Sequence, residues 1–236
     1  MSVIPLGTGI YYPAEAARLL GVGPSRLRRW VNGYTYWLAG NDAPRQRRQA
    51  PVLHSDLPSI KGSRALSFLE LMELRVVIAL RQRGLSLQHI RGAATLARRV
   101  LRSSHPFASH RVFTNGSSIF ATVLPGEDVS EMIELRKVRH AQVLIGQVLE
   151  PFLNEIEFDP SSGFAHRWWP QGRRFPVVLD PRIAFGAPVI EGTAIRTAVV
   201  ARMAQRASPS DVAGDYEIPV RGIQAAVEFE SLLAAA

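Results

Sequence analysis

The sequence predicts a mainly α-helical fold with small β elements. We expect a winged helix-turn-helix, then a hairpin with a long helix, then a three-helix unit with short strands. Apolar residues recur at helical spacing in several segments, and asparagine, proline and glycine mark the turns between them. The 236 residues suffice for two or three units with their own cores. We therefore divide the chain into residues 1–104, 105–160 and 161–236.

The first element is a pair of short helices joined by glycines, at residues 12–32. The first helix takes its apolar side from four residues: Ala14, Ala17, Leu19 and Leu20. Gly21 to Gly23 end this helix, and Pro24 with Ser25 has the form of a helix start.

The second of these helices combines an apolar back with a cationic front. Leu27, Trp30 and Val31 recur on one face. Outside that face stand Ser25, Arg26, Arg28 and Arg29. A rigid back and exposed forked donors suit a helix that enters a groove of DNA, so we predict these four as DNA contacts. The alternative is an ordinary surface hairpin whose arginines are only solvated.

A basic segment follows the helix pair. The aromatic residues at 34–37 predict a short strand, and the polar stretch at 41–51 contains Arg45, Arg47 and Arg48. Beside a helix-turn-helix, a basic loop between two extended pieces is typical of a wing that lies along the phosphate backbone or in the minor groove. We predict these three arginines as further DNA contacts. A disordered surface loop is the alternative.

Two longer helices are predicted next. One covers residues 67–83, with apolar positions at helical spacing, and Gly84 ends it. The other starts at Ser86 and continues to about residue 101. We expect this pair to cover the DNA-reading helices and close their core.

The middle segment contains a hairpin signal and a long helix. Asn115-Gly116 between two extended pieces predicts a two-residue turn. The helix, from about residue 129 to 153, has one seam: Leu135, Val138, Gln142, Ile145, Leu149 and Phe152. This seam predicts either a homodimer, with Gln142 fixing the register, or packing on the hairpin of the same chain.

Charge is distributed unevenly along the chain. Residues 1–111 contain 17 Lys and Arg against 5 Asp and Glu, a net of +12, and residues 112–236 contain 11 against 15, a net of −4. A basic half favours a polyanion such as DNA and salt-dependent affinity, whereas a mildly acidic half is repelled by the same surface. The two halves therefore have different functions.

The carboxy-terminal segment combines short strands with three helices. A strand at residues 164–169 places Trp168 and Trp169 on opposite faces, so we expect one to be in the core and the other partly exposed. Residues 177–195 predict strand, Pro/Gly loop and strand. Helices are predicted from about 195 to 205, from Ser208, and from about 220 to 233, with Ser208 and Asp211 as a helix start.

Parts of this sequence resemble known families. Residues 10–37 look like the reading head of MerR-type winged helix-turn-helix regulators, and residues 67–92 look like the helix pair that follows it there. The tail from residue 186 to 229, with the motif Gly-Ala-Pro-Val-Ile-Glu-Gly-Thr at 186–193, is similar to a domain of VapB-type antitoxins. Ala194 stands where that domain often has arginine, and we expect Arg196 to supply the charge.

The resemblance implies an antitoxin that binds operator DNA through residues 1–104 and a PIN-like VapC toxin through residues 161–236. PIN-like toxins are ribonucleases with carboxylates around a divalent metal, so a cation or an apolar plug would block them. The candidate toxin contacts are Arg173, Arg174, Arg182, Arg196, Trp168 and Trp169. Each could equally be a surface charge or a core aromatic residue.

The main alternative is a MerR-like regulator that responds to a small ligand. It needs an apolar pocket, for which the candidates are Phe107, Phe113, Phe120 and Phe152. The same residues fit core packing.

Other classes are not favoured by the sequence. The chain has no cysteine and six dispersed histidines, which predicts no disulfide, metal site or other cofactor. It has no nucleophile elbow or phosphate loop, so we expect no enzymatic activity. Without a long apolar run or a signal peptide, we expect a cytoplasmic protein with no membrane partner.

Overall fold

The computed structural model describes residues 7–39, 45–60, 63–82, 84–109 and 154–235. Over these residues it has seven α-helices and four two-stranded antiparallel sheets, which confirms a mainly α-helical fold with small β elements. The helices are α1 Pro13–Leu19, α2 Pro24–Asn32, α3 Phe68–Gln82, α4 Leu87–Leu101, α5 Thr197–Met203, α6 Pro209–Tyr216 and α7 Val220–Ala235. The strands are β1 Tyr34–Leu38, β2 Arg45–Gln49, β3 Ser59–Ile60, β4 Ser63–Arg64, β5 Ile156–Phe158, β6 Ala165–Trp168, β7 Val177–Val178 and β8 Val189–Ile190.

The predicted helix pair at the amino terminus is confirmed. Each helix has a proline in its first turn, and Gly21 follows α1 with a positive φ of 63°. The apolar side of α1 consists of Ala16, Ala17 and Leu19. Ala14 is exposed, so its assignment to that side was wrong. The buried side of the helix begins at Ala16 instead.

The helices α3 and α4 close the core over this pair, as predicted. The predicted positions Met72, Val76, Val77 and Leu80 of α3 are all buried, while Leu69 packs at the edge. Gly84 has a φ of +88°, which ends the helical path without the strain that a side chain would add.

The segment with the clustered arginines forms a strand where the sequence predicted a loop. Residues 45–49 pair along their whole length with β1, from Leu38 opposite Arg45 to Tyr34 opposite Gln49. Both strands are exposed on nearly every side chain, so cross-strand hydrogen bonding and not burial holds this ribbon. The absence of an alternating apolar pattern explains why sequence periodicity did not reveal β2.

The carboxy-terminal elements follow the prediction closely. The turn at residues 159–163 connects β5 to β6, and β7 pairs with β8. Ser208 caps α6: its hydroxyl accepts the backbone N–H of Asp211, and the Asp211 carboxylate accepts the backbone N–H of Ser208.

The tryptophan pair differs from the prediction. Trp168 and Trp169 are 1% and 3% exposed, so the expectation that one ring is partly exposed was wrong. They do lie in different clusters, because adjacent strand residues point to opposite faces and both faces are covered here.

The largest apolar cluster joins the two ends of the chain. It contains residues of α1 to α4 together with Trp168, Leu179 and Phe229. A second cluster lies under α5 to α7, around Val200 and Ile223. The amino-terminal helices therefore share a core with the carboxy-terminal segment. The division at residues 104 and 160 stays a prediction.

Two predicted elements lie outside the described residues. These are the hairpin around Asn115-Gly116 and the long helix at about 129–153, with its proposed dimer seam. Three of the four phenylalanines proposed for a ligand pocket, at positions 113, 120 and 152, also fall there.

Candidate functional site

Helix α2 has the two-sided construction that the sequence predicts. Leu27, Trp30 and Val31 are buried in the main core. The four predicted DNA-contact residues on this helix are all exposed: Ser25, Arg26, Arg28 and Arg29. The helix is thus fixed by its back and offers its arginines to solvent, where phosphate or guanine acceptors can reach them.

Arg64 fastens the end of α2 to the rest of the domain. Its guanidinium donates to the carbonyl oxygens of Val31 and His54, and to the Glu70 carboxylate at 2.8 Å. Glu70 is fully buried at the start of α3, and burial raises its pKa above the ordinary value. The last turn of α2 is therefore held by a buried ion pair as well as by apolar packing.

The ribbon β1–β2 leaves α2 through a sharp turn at Gly33. Gly33 has a φ of +71°, and a Cβ there would collide with the carbonyl oxygen of Gln49. Beyond the ribbon, the backbone N–H of Val52 donates to the carbonyl of Trp30 at 2.8 Å. Both ends of the ribbon are thus fixed against α2.

The pairing register assigns the ribbon arginines to two faces. Residues directly opposite each other in an antiparallel pair point to the same side. Arg45 and Arg47 therefore share a face with Tyr34 and Tyr36, which we call the tyrosine face. Arg48 lies on the other face, with Trp37 and Thr35.

The tyrosine face continues into α2. The Arg29 guanidinium carbon lies 5.5 Å from the centroid of the Tyr34 ring, and the Tyr34 and Tyr36 rings are 5.8 Å apart. Burial lowers the pKa of Arg91 on α4, and Tyr34 acts in the opposite direction. Among the described residues, nothing accepts a hydrogen bond from the buried Nε and Nη2 atoms of Arg91. Tyr34 thus lies beside Arg29 of α2, on the ribbon face that also carries Arg45 and Arg47.

A buried histidine lies between α3 and the segment that follows the ribbon. The His105 Nε2 atom lies 2.8 Å from Asp56 Oδ1, and its Nδ1 atom lies 3.2 Å from Glu73 Oε2. Burial opposes protonation, yet the hydrogen bonds to Asp56 and Glu73 raise the pKa of His105 to about 9. A protonated His105 links the segment after the ribbon to α3.

The predicted toxin contacts in the carboxy-terminal part have three kinds of environment. In the first, the side chain packs on or bonds to the β5–β6 hairpin. Arg173 stacks on Trp169, with its guanidinium carbon 4.2 Å from the ring centroid. It also donates to the carbonyls of Asn154 and Ile156 at 2.9 and 3.1 Å. Trp168 and Trp169 are buried, whereas the Arg173 side chain is about half exposed; all three hold the β5–β6 hairpin in place. Their predicted role as toxin contacts has no exposed aromatic ring to support it.

Arg182 has the second kind of environment, in which it is held in place but accessible. Its Nε and Nη2 atoms donate to the two oxygens of Asp180 at 2.9 and 2.8 Å, and Arg167 donates to the same carboxylate. This pairing holds the pKa of Asp180 down at about 2, against the effect of its burial. About half of the Arg182 side chain stays exposed.

Arg174 and Arg196 are exposed, which is the third kind of environment. Arg196 lines a cleft of about 320 Å³ between α1 on one side and α5 and α7 on the other, together with Arg18 and Arg202. Glu15 and Glu230 also line this cleft. Arg196 therefore lies where the amino-terminal and carboxy-terminal parts meet.

Comparison with known proteins agrees with this arrangement. Residues 9–94 match the family described as "Putative DNA-binding HTH domain". The chain is 31% identical to "Putative antitoxin VapB45" of Mycobacterium tuberculosis over 217 residues, which is 89% of this chain and 88% of that protein. The chain belongs to the VapB45 antitoxin family.

The carboxy-terminal match and a solved structure extend the likeness over the rest of the chain. Residues 177–229 match the family described as "Protein of unknown function (DUF433)". The crystal structure of Rv2018 from Mycobacterium tuberculosis is 25% identical, with a TM-score of 0.67, and covers 95% of this chain and 100% of its own. This member of the VapB45 antitoxin family thus combines a segment matching a helix-turn-helix domain with a carboxy-terminal segment matching DUF433.

Sequence reasoning missed several residues of this VapB45-family chain. Tyr34 was seen only as an aromatic residue, and its position beside Arg29 depends on the ribbon pairing. Phe185, which is 65% exposed, was not singled out at all. An aromatic residue directly before Gly186 in a Pro/Gly loop was the only signal available.

Three further findings concern the described residues alone. Phe107, proposed for a ligand pocket, is 2% exposed and packs in the main core. No described group of His, Asp and Glu side chains is arranged to hold a metal ion. Among the described helices, none combines the length and apolarity that crossing a bilayer demands.

Proposed function

We propose that this chain is the antitoxin of a type II toxin–antitoxin system. It binds the operator of its own operon through α2 and the ribbon, as a MerR-like winged helix-turn-helix, and represses transcription. It neutralises a PIN-like ribonuclease of the VapC type by direct binding through its carboxy-terminal part. Membership in the VapB45 antitoxin family supports the second role.

One observation carries the DNA-binding role: the arginines of α2 are exposed while the back of the same helix is buried. The end of α2 is also fixed in position by Arg64, which pairs with Glu70, and by the backbone amide of Val52. A helix whose arginines are only solvated needs no such fixing. Such fixing limits the entropy lost when the arginines engage a duplex. The ribbon then extends the cationic surface from α2 by way of Tyr34.

The DNA half of the proposal is tested with the DNA segment directly upstream of the gene. We expect the full chain to retard this fragment in a mobility-shift assay and to reduce expression from a reporter joined to it. Affinity should fall steeply as salt rises, because phosphate contacts release counterions. A chain that binds the upstream fragment no better than a scrambled fragment would contradict operator recognition.

The toxin half is tested with the protein encoded by the neighbouring gene. We expect that protein to co-purify with the full chain, to cleave RNA when alone, and to lose that activity when the chain is added in equal amount. Truncation is a poor test, because Leu179 and Phe229 belong to the core that contains the amino-terminal helices. Substitution of exposed residues leaves this core intact.

A ligand-responsive regulator is the second candidate function, and the cleft at Arg196 favours it. Arg18, Arg196 and Arg202 line that cleft, whose volume lies in the range of small-molecule sites. This alternative predicts that small molecules in a protein-free cell extract release the chain from the upstream DNA fragment. The protein encoded by the neighbouring gene is then not needed for release. Release only by the ribonuclease partner would exclude it.

A further inference from the structure

The loop between β7 and β8 contains an unusual run of backbone conformations. Ala184, Phe185 and Gly186 have successive positive φ angles of 48°, 58° and 85°. Left-handed backbone is ordinary for glycine but costs about 1–2 kcal/mol for a residue with a side chain. Two such residues in sequence, one of them aromatic, need a specific cause.

The surrounding structure holds this run in place from the amino-terminal side. The backbone N–H of Ile10 donates to the carbonyl oxygen of Phe185 at 3.0 Å. The Tyr11 hydroxyl donates to the carbonyl oxygen of Gly186 at 2.8 Å. The backbone N–H of Gly186 itself donates to the carbonyl oxygen of Ile183 at 2.9 Å, so the loop is closed by its own backbone as well.

What this strained and fixed loop presents is the side chain of Phe185. The ring is 65% exposed, although it belongs to a loop whose neighbours Val189 and Gly186 are buried. Burial of the Phe185 ring therefore does not compensate the backbone strain in the free chain. A large exposed apolar ring on a rigid support is the usual form of an interface anchor, because little entropy remains to be lost on binding.

A cation lies on the same loop. Arg182 precedes Phe185 by three residues and is oriented by the Asp180 carboxylate through Nε and Nη2. Within the described residues, its Nη1 atom has no acceptor, and the side chain is about half exposed. The loop thus carries an exposed aromatic residue and, three positions earlier in the chain, a half-exposed guanidinium.

We propose that Phe185 is the apolar anchor by which this chain binds its ribonuclease partner, with Arg182 as a cation on the same loop. The inference rests on the proposed function and specifies its contact surface. In the partner proposed above, the nuclease site consists of carboxylates around a divalent metal, and an exposed ring with a guanidinium on the same loop complements such an acidic site in polarity and charge. Because Phe185 is exposed and does not pack against the protein's own core, it is available to enter such a site.

The test uses substitutions that should weaken binding to the ribonuclease without lowering the stability of the fold. Phe185→Gly removes the ring and relieves the left-handed strain, so we expect an unchanged or higher Tm together with an affinity for the ribonuclease at least about tenfold weaker. Phe185→Asn, which tolerates the left-handed region, should give the same loss. The matched control is Ala184→Gly, which relieves the neighbouring strain but keeps the ring, and should bind within about twofold of the original chain.

The measurement is titration calorimetry of the full chain and its variants with the protein encoded by the neighbouring gene. Binding of Phe185→Gly within about twofold of the original chain would overturn the anchor while leaving the proposed function in place. A change in the oligomeric state of Phe185→Gly with unchanged ribonuclease affinity would assign the ring to contact between copies of this chain, and would also overturn it. If the original chain does not bind that protein at all, the anchor and the toxin half of the proposed function fall together. Retained affinity of all variants for the upstream DNA fragment excludes general misfolding.

Discussion

The hydroxyl of Tyr11 donates a hydrogen bond to the carbonyl oxygen of Gly186, with 2.8 Å between the two oxygen atoms. Tyr11 is fully buried directly before α1, and Gly186 lies in the loop that presents Phe185. A Cβ at Gly186 would collide with the Tyr11 hydroxyl. One contact therefore connects the segment before α1 to the loop that presents Phe185.

The buried hydrogen bond of the Tyr11 hydroxyl gives the first prediction, on the free energy of unfolding. Tyr11→Phe keeps the ring in the core but leaves the Gly186 carbonyl without its donor, so we expect a loss of about 1 kcal/mol in the free energy of unfolding. Urea denaturation with linear extrapolation measures the change. Tyr12→Phe is the matched control, because Tyr12 is exposed and its hydroxyl removal should cost much less. Equal effects of the two substitutions would contradict the role of the buried hydrogen bond.

The exposed arginines of α2 give the second prediction. Replacing Arg28 and Arg29 by alanine should abolish specific retardation of the upstream DNA fragment, because a single base or phosphate contact from arginine contributes about 1–3 kcal/mol. The fold should persist, since both side chains lie outside the core. If both contact phosphates, the slope of log affinity against log salt falls by about 2. A double variant with unchanged retardation and unchanged slope would remove α2 from the interface.

The two faces of the ribbon give the third prediction. Arg47 lies on the tyrosine face, which continues into Arg29, whereas Arg48 lies on the opposite face with Trp37. We expect Arg47→Ala to weaken binding of the upstream fragment by about 1 kcal/mol or more and Arg48→Ala to have a clearly smaller effect. Fluorescence anisotropy at fixed salt compares the two. A larger loss for Arg48→Ala would show that the other face meets the duplex.

Several parts of the site could be predicted because their causes are local. The buried face of α2 follows from the spacing of Leu27, Trp30 and Val31, and the start of α6 follows from Ser208 and Asp211. Both depend on residues within one or two helical turns, where spacing and capping act directly. The exposure of the α2 arginines followed from the same pattern.

Other parts could not be predicted, because they depend on residues distant in the chain. The contact of Tyr11 with Gly186 joins positions separated by 175 residues. Trp169 is buried because Val178 of β7, Val189 of β8 and the loop between these strands cover its face, which strand alternation alone does not reveal. The left-handed backbone at Phe185 arises from bonds to Ile10 and within the loop, so composition gave no sign of it.

The histidine between two carboxylates gives the fourth prediction, on the pH dependence of stability. Burial disfavours the charged imidazole, but hydrogen bonds to Asp56 and Glu73 raise the pKa of His105 to about 9, whereas the unfolded value is about 6.5. Protonation therefore favours the folded state. This contribution is complete below about pH 6.5 and is lost as the pH rises through about 9, so stability should decrease over that interval by an amount on the order of 2–3 kcal/mol.

Chemical denaturation at successive pH values, compared between variants, isolates the effect of His105. In His105→Gln the decrease between about pH 6.5 and 9 should disappear, because glutamine carries no titrating proton. In His54→Gln, which removes an exposed histidine of the same region, the decrease should remain. Should His105→Gln prove too unstable to measure, titration of the His105 ring by NMR in the original chain gives the same answer, since a ring that loses its proton near pH 6.5 cannot hold Asp56 and Glu73 by charge. A stability curve with equal slope in the original chain and in His105→Gln would likewise contradict the prediction, because it would show that folding does not shift the pKa of this histidine.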